Sequence, residues 1–257
     1  MPKIHFLDVG CADTTIIKAH EDTILIDCYN IEKYSQYLPK NKSINAVFIT
    51  HQHYDHFTGL EFLKTNNYSI QYLIYSPYQR RHNDNSVEYE EWNQFNNLVS
   101  YFSNKGSKIY KPFRQDSFEK PWWNNAGFKF WIIGPEKSIA TKETRELHDA
   151  SLVLTVQSAL TNRQCCFTGD ASDESLNWIA QNTSNYCNDI LHASHHGSIN
   201  GADLEFIKKS NIKETIISTE SGVHENVPHP TAIKRYKDNS SKNIYRTDIE
   251  GTIIWDF

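Results

Sequence analysis

Four potential metal ligands, His51, His53, Asp55 and His56, stand within six residues in the segment THQHYDH that begins at Thr50. In an extended turn, His51 and His53 point to one side and can hold one metal ion. Asp55 and His56 stand where a helix would begin and can reach a second ion beside the first. Imidazole and carboxylate donors together suit Zn²⁺ and tolerate Mn²⁺ or Fe. The competing explanation, chance histidines in an exposed polar loop, is much weaker because such dense clustering is rare.

Hydrophobic patterning predicts the elements that position this loop. The apolar run Ala46–Thr50 predicts a strand that ends at the loop, and Gly59–Lys64 predicts a helix after it. Further strands are predicted at Ile4–Val9, Thr23–Asp27, Ile70–Tyr75, Phe128–Ile133, Ser151–Val156, Gln164–Phe167, Thr215–Ser218, Asn243–Arg246 and Thr252–Trp255. Further helices are predicted at Ser172–Ala180, Asp203–Lys209 and Thr231–Tyr236. Because no repeat or low-complexity linker interrupts this pattern, we expect a single domain over residues 1–257.

An insert at about 76–125 differs in composition, being rich in Asn, Tyr, Trp and Arg. Inside it, aromatic and aliphatic residues recur at helical spacing before Gly106, namely Tyr89, Trp92, Phe95, Val99 and Phe102. This stripe predicts a helix that packs on the core, in preference to a surface on which a substrate stacks. The stretch PWWNN at Pro121–Asn125 could form a lid or a rim.

The overall composition excludes several classes of protein. With 39% hydrophobic residues and a formal net charge of −5, the chain is globular and unlike proteins that coat nucleic acid. Any nucleic-acid contact is therefore expected to be local, at a site where metal ions supply positive charge. No apolar run is long enough to cross a membrane, and the N-terminus lacks the pattern of a signal peptide. Five cysteines, an odd number, argue against a disulfide framework, so a cytoplasmic location is expected.

The histidine-rich segment, followed by Gly59, resembles the HxHxDH motif of the metallo-β-lactamase superfamily. Three other segments resemble the nuclease domain of ComEC-type competence proteins. They are HFLDVGCADTTII at His5–Ile17, ASHHGS at Ala193–Ser198, and Pro228-His229-Pro230 with Arg246-Thr247-Asp248 and Gly251 downstream. The resemblance implies an α/β fold, the metallo-β-lactamase αββα sandwich, in which two packed mixed β-sheets are flanked by helices and the ligands lie at one edge.

The resemblance also implies a set of ligands for two divalent metal ions, Zn or Mn. His51, His53, Asp55 and His56 match the superfamily motif directly, and Asp170 matches the aspartate that bridges the two ions. Either His195 or His196 completes the second site, with His195 slightly preferred. The remaining ligand is His148 or Asp149, although a surface role for His148 is an equal alternative. Cys11-Ala12 replaces the Gln-Gly that is common in the family, and Val227 replaces a histidine.

The leading hypothesis for function is a dinuclear-metal-dependent phosphodiesterase, specifically a nuclease that cleaves DNA with a metal-activated hydroxide. Asp55 would act through the second metal, and His229 would protonate the leaving oxygen or hold a phosphate. One alternative is a phosphodiesterase for a small molecule or cyclic nucleotide, and another is a non-catalytic regulatory subunit that retains metal. Nucleic acid is the expected substrate, with a possible protein activator and no membrane contact.

Overall fold

The computed structural model describes all 257 residues and contains two seven-stranded β-sheets. The strands are β1 (Lys3–Phe6), β2 (Thr14–Ala19), β3 (Asp22–Cys28), β4 (Ser43–Ile49), β5 (Ser69–Tyr75), β6 (Lys108–Tyr110), β7 (Trp123–Asn125), β8 (Phe128–Gly134), β9 (Val153–Ser158), β10 (Gln164–Phe167), β11 (Ile190–His192), β12 (Glu214–Ile217), β13 (Ile244–Arg246) and β14 (Ile253–Asp256).

Eight α-helices connect or cover the strands. They are α1 (Tyr54–Phe57), α2 (Gly59–Thr65), α3 (Tyr89–Asn104), α4 (Lys137–Ala140), α5 (Asp173–Asn182), α6 (Leu204–Lys209), α7 (Pro230–Asn239) and α8 (Thr247–Glu250). Short 3₁₀ helices lie at Ile31–Tyr37, Leu147–Ala150, Ser194–Gly197 and Ile199–Gly201. No helix combines the length and the apolar character that a membrane crossing requires.

Both sheets are mixed, and each has a run of parallel strands. The first sheet has the order β14-β1-β2-β3-β4-β5-β6, and β3 to β6 are parallel. The second has the order β13-β12-β11-β10-β9-β8-β7, and β10 to β13 are parallel. Because parallel strands end at the same edge of a sheet, the loops after β3, β4, β10, β11 and β12 share one edge of the molecule.

Three hydrophobic layers hold the elements together. The two sheets pack face to face through stacked aromatic rings, such as Phe48 on Phe130 with centroids 5.2 Å apart. On the outer face of the first sheet, α2 and α3 bury residues such as Phe95. On the outer face of the second, α5, α6 and α7 bury residues such as Phe206 and Tyr236. The predicted arrangement of two packed mixed sheets between helices is therefore confirmed.

The structure also answers the predictions made for the insert. The predicted stripe lies on α3, where Phe95, Val99 and Phe102 pack against the first sheet as expected. Tyr89 is exposed instead, and Trp92 packs on Tyr78. The Pro121–Asn125 stretch forms no lid, because Trp123 lies in edge strand β7 and its ring centroid is 5.1 Å from those of Phe130 and Tyr72. Four strands, β2, β6, β7 and β11, were not predicted. Almost every residue of β2 is buried, so it lacks alternation, and β11 is only three residues long.

Candidate metal centre

Eight histidines and aspartates converge at the edge of the molecule where the parallel strands end. His51, His53, Asp55 and His56 follow β4, and Asp170 follows β10. His195 and His196 follow β11, and His148 lies on the 3₁₀ turn just before β9, which is antiparallel to β10. The sheet topology thus brings residues more than a hundred positions apart to the same edge.

The first ligand group consists of His51, His53 and His148. The Nδ1 atom of His53 lies 3.2 Å from Nε2 of His51 and 3.3 Å from Nε2 of His148. His51 is fully buried, whereas 22% of the His148 side chain is exposed. Three imidazole nitrogens at this spacing can bind one cation, because tetrahedral metal–nitrogen bonds of about 2.0–2.1 Å place ligand atoms slightly more than 3 Å apart.

The second ligand group consists of Asp55, His56 and His196. Nε2 of His196 lies 3.6 Å from Oδ2 of Asp55, and Nε2 of His56 lies 3.9 Å from Oδ1 of Asp55. Both imidazoles are buried, and 36% of the Asp55 side chain is exposed. The exposed carboxylate places this group at the mouth of a cleft, while its two imidazoles lie below the surface.

Asp170 lies between the two groups and faces both. Its Oδ2 is 3.7 Å from Nε2 of His51 and 3.7 Å from Nε2 of His196, and its Oδ1 is 3.4 Å from Nε2 of His56. Gly169 makes this approach possible: it has a φ of +48°, and a Cβ there would lie 2.5 Å from a side-chain atom of Thr50. A carboxylate in this position can bind two cations at once.

The buried atoms of the centre fit a cation. Nε2 of His56, Nε2 of His196 and Oδ1 of Asp170 are buried and have no hydrogen-bond partner. An unsatisfied buried polar atom costs about 1–3 kcal/mol, and these atoms face one another at the centre. The mixture of imidazole and carboxylate donors suits Zn²⁺, and Mn²⁺ is compatible with it. The residues present therefore fit a divalent metal centre.

The two groups differ in their protonation. Burial lowers the pKa of His148 to about 3 and lowers the pKa of His51 well below its ordinary value. Burial also acts to lower the pKa of His196 and of His56, but the surrounding carboxylates, Asp170 foremost, outweigh it. They raise the pKa of His196 to about 9 and that of His56 well above its ordinary value. Without metal, His56 and His196 are therefore protonated near neutral pH, whereas His51 and His148 are neutral.

Carboxylates behind the second group orient its imidazoles. Nδ1 of His56 donates to Oδ2 of Asp27 over 2.8 Å, and Thr50 donates to Asp27 from its backbone N and its Oγ1. Asp13 is buried, and its oxygens lie 3.8 Å from Nδ1 of His196 and 3.9 Å from Nδ1 of His56. Nδ1 of His196 donates to the backbone oxygen of Ser218 over 3.2 Å. Since Nδ1 of His56 faces Asp27 and Nδ1 of His196 faces Ser218, Nε2 of each ring is directed towards Asp170.

The pair of histidines after β11 has an unusual backbone. His195 and His196 have φ values of +52° and +53°, in the left-handed region that residues other than glycine and asparagine seldom adopt. His196 turns towards Asp55 and His56, whereas Nε2 of His195 lies 3.8 Å from Oδ2 of Asp170. The structure thus puts His196 in the second ligand group, while His195 lies with His148 and Asp170 in a further set of atoms that could hold a metal ion.

Two of the predicted site residues lie outside the centre. Asp149 accepts from Oγ of Ser172 over 2.6 Å and from the backbone N of Glu146 over 3.0 Å, so its carboxylate supports local turns. Of the two alternatives, the structure places His148 in the centre. His229 precedes α7, where its Nδ1 accepts from the backbone N of Thr231 over 3.1 Å. No contact within the centre involves its ring.

Sequence reasoning missed the residues that orient the ligands. Asp27 left a usable signal, because a carboxylate at the end of the apolar strand TILID is unexpected unless it is paired. Asp13 lay inside the segment that resembles the ComEC-type domain, but nothing assigned it a role. Ser86, whose backbone oxygen accepts from Nε2 of His53 over 2.9 Å, carried no signal at all.

The comparisons with known proteins agree on the fold. A family described as "Anti-Pycsar protein Apyc1" matches residues 11–201 of this chain. Among curated protein sequences, none is significantly similar to it. Similar solved structures include the metallo-β-lactamase fold protein YhfI from Bacillus subtilis, with a TM-score of 0.60 and 14% identity over 99% of both chains.

Two further solved structures carry informative names. Tm1679, titled a metal-dependent hydrolase of the β-lactamase superfamily, has a TM-score of 0.56 and 13% identity, covering 100% of this chain and 99% of its own. Yeast PDE1 has a TM-score of 0.54 and 12% identity, covering 96% of this chain and 98% of its own. The fold is thus the metallo-β-lactamase fold that the sequence predicted.

Proposed function

This chain belongs to the family of the anti-Pycsar protein Apyc1, and from that membership we propose that it is a metal-dependent phosphodiesterase for a small cyclic phosphodiester, such as a cyclic nucleotide. Its fold is shared with metal-dependent hydrolases, and the name of one of them, yeast PDE1, agrees with chemistry at a phosphodiester. The choice of a small substrate rests on the clefts beside the metal centre.

The observation that carries the proposal is the acidic cleft at Asp55. This cleft, of about 660 Å³, is lined by the carboxylates of Asp8, Asp55 and Glu220 with one lysine, Lys33. Asp248 also lines it, but is paired with Arg246 at 2.6 Å. A long polyanion would be repelled here, because it presents a charged phosphate at every nucleotide. A small phosphodiester carries its charge only at the metal centre and can place uncharged groups against these carboxylates.

The cleft on the other side of the centre is not basic either. It is larger, about 1150 Å³, and is lined by residues 81–86, 141 and 143–148. Its arginines are matched by carboxylates: Arg145 lies 3.8 Å from Asp84, and Glu143 and Glu146 line the same cleft. Neither cleft beside the centre therefore offers a positively charged track on which a nucleic acid would lie.

Each ligand group of the centre has its own role in the proposed hydrolysis. In the proposed enzyme His51, His53 and His148 would hold one divalent ion, and Asp55, His56 and His196 would hold another. Zn²⁺ or Mn²⁺ bound there would lower the pKa of water to near neutrality and neutralise charge on the phosphoryl oxygens. Asp170 fixes the two groups relative to each other. One water is consumed, one P–O ester bond breaks, and the cyclic diester becomes a linear monoester.

The nuclease hypothesis, which came from the resemblance to the ComEC-type domain, stays a prediction with less support than the small-substrate proposal. It requires a polynucleotide to approach past the acidic cleft. A non-catalytic regulatory subunit would retain the metal site only as a structural element; the presence of the donors of both groups together with Asp170 favours catalysis over that role. Both alternatives are outcomes of the same experiment.

The test is to incubate the purified protein, loaded with Zn²⁺ or Mn²⁺, separately with cyclic nucleotides, linear DNA and RNA. We expect a cyclic nucleotide to be converted to its linear monophosphate while DNA and RNA keep their length. Asp170→Ala should abolish the conversion, whereas Asp238→Asn, a change in an exposed aspartate of α7 outside the centre, should retain it. Shortened DNA with intact cyclic nucleotides would establish the nuclease instead. No conversion of any substrate by metal-loaded protein would favour the regulatory role.

A further inference from the structure

The first ligand group depends on a hydrogen bond to the insert. His53 directs Nδ1 towards His51 and His148, and its Nε2 lies 2.9 Å from the backbone oxygen of Ser86. A carbonyl oxygen can only accept, so Nε2 carries the proton and Nδ1 presents its lone pair. Ser86 therefore selects the tautomer of His53 that can bind a cation.

The side chain of Ser86 reaches a second ligand of the same group. Its Oγ accepts from the backbone N of Leu147 over 2.9 Å, at the start of the turn that carries His148. The same Oγ donates to Oδ1 of Asp84 over 2.6 Å. A single residue of the insert thus contacts His53 directly and holds the turn that presents His148.

Asp84 fixes Ser86 and is itself anchored in the interior. Its Oδ1 also accepts from the backbone N of Ser86 over 3.0 Å, and its Oδ2 accepts from the hydroxyl of Tyr78. Arg145, with 3% of its side chain exposed, lies 3.8 Å from the same oxygen and stacks over the Tyr78 ring at 5.1 Å. Because Tyr78 is 1% exposed, the insert segment Asp84–Ser86 is held against a rigid support.

We propose that the insert segment Asp84–Ser86 is a positioning element of the metal centre, which sets the cation affinity of the first ligand group without contacting the cation. The inference rests on the metal centre of the proposed function but not on its substrate. Asp84 and Ser86 are positioning residues, since they act through His53 and His148. Nδ1 of His56 faces Asp27 and Nδ1 of His196 faces the backbone oxygen of Ser218, so the orientation of these two imidazoles should not depend on Asp84 or Ser86.

The experiment measures Zn²⁺ binding to metal-free protein in competition with a chromophoric chelator. Asp84→Ala should lower the affinity of one site by about 10–100-fold, the usual loss when a partner of a metal ligand is removed. Ser86→Ala, which keeps the carbonyl bond to His53 but loses the bond to Leu147, should give a smaller loss. Asn85→Ala is the matched control, because Asn85 is exposed and makes no side-chain hydrogen bond in this segment.

A double-variant cycle assigns the loss to the first ligand group. His148→Ala weakens that group directly, so adding Asp84→Ala should lower Zn²⁺ affinity by much less than it does alone. If Asp84→Ala and Asn85→Ala both bind Zn²⁺ like the unchanged protein, the positioning role is wrong. An equal loss at both sites, or a loss fully additive with His148→Ala, would also overturn it. No substrate is used, so failure of the phosphodiesterase proposal leaves this result readable.

Discussion

The two halves of the metal centre present similar donors but are held in place by different parts of the chain. Behind the second ligand group lie the buried carboxylates Asp27 and Asp13, at the ends of strands in the first sheet. Behind the first lies the backbone oxygen of Ser86, in a half-buried segment of the insert. A carboxylate raises the basicity of the imidazole that it contacts more than a carbonyl does. The imidazoles of the second group are therefore held from the core, while His53 and His148 of the first group are held by the segment Asp84–Ser86.

The largest effect should come from Asp170, the one residue that the two halves share. Asp170→Ala removes the carboxylate that faces His51, His56 and His196, so both ligand groups should lose affinity for metal. Elemental analysis after dialysis should show both sites depleted, and phosphodiesterase activity should fall by at least about 10³-fold, as expected when metal-dependent charge stabilisation is lost. An unchanged metal content in Asp170→Ala would contradict the position of Asp170 between the two groups, and the two groups would then be independent of each other.

The next effect should be confined to the second half. Asp27→Asn replaces the charged acceptor of His56 Nδ1–H with a neutral one, and we expect a loss of about 10–100-fold in metal affinity at the second group only. Asp22→Asn is the matched control, because Asp22 begins the same strand β3 at its opposite end. Chelator competition on both variants makes the measurement. Equal losses in the two variants would mean that β3, not the contact with His56, is responsible.

The pH dependence of metal binding should also separate the halves. The raised pKa of His196, about 9, and of His56 means that both are protonated near neutral pH without metal. Metal must displace these protons, so affinity at the second group should rise with pH until about pH 9. The lowered pKa of His148, about 3, and of His51 means that these two ligands hold no protons for metal to displace above pH 5, so affinity at the first group should rise less steeply with pH. Calorimetric titrations with Zn²⁺ at several pH values would measure the affinity of both groups. An equal change of affinity with pH at the two groups would contradict this prediction.

The smallest effect should come from His229. Because its Nδ1 caps α7, His229→Ala should lower the free energy of unfolding by about 1 kcal/mol, the usual value for a lost cap, and leave metal content unchanged. Denaturant unfolding and elemental analysis test this. A rate that falls by about 10²-fold on a cyclic nucleotide but not on bis(p-nitrophenyl) phosphate, whose leaving group needs no proton, would instead support His229 as an acid.

Local sequence was enough for the part of the centre that lies along one stretch of chain. His51, His53, Asp55 and His56 are neighbours, so the backbone after one strand determines their relative directions. The helix α3 was predictable for a similar reason, since its apolar stripe has the period of the helix itself. The packed sheets followed from the resemblance that these motifs carry.

Tertiary structure decided the rest, because spacing along the chain does not fix the direction of a side chain. His148 and Asp149 are adjacent, and only the bonds from Ser172 and Glu146 turn Asp149 away from the centre. His195 and His196 are adjacent as well, and their left-handed backbone, imposed by the contacts around β11, sends the two rings in different directions. Ser86 joined the centre through a backbone oxygen, which every residue possesses and no sequence pattern can distinguish.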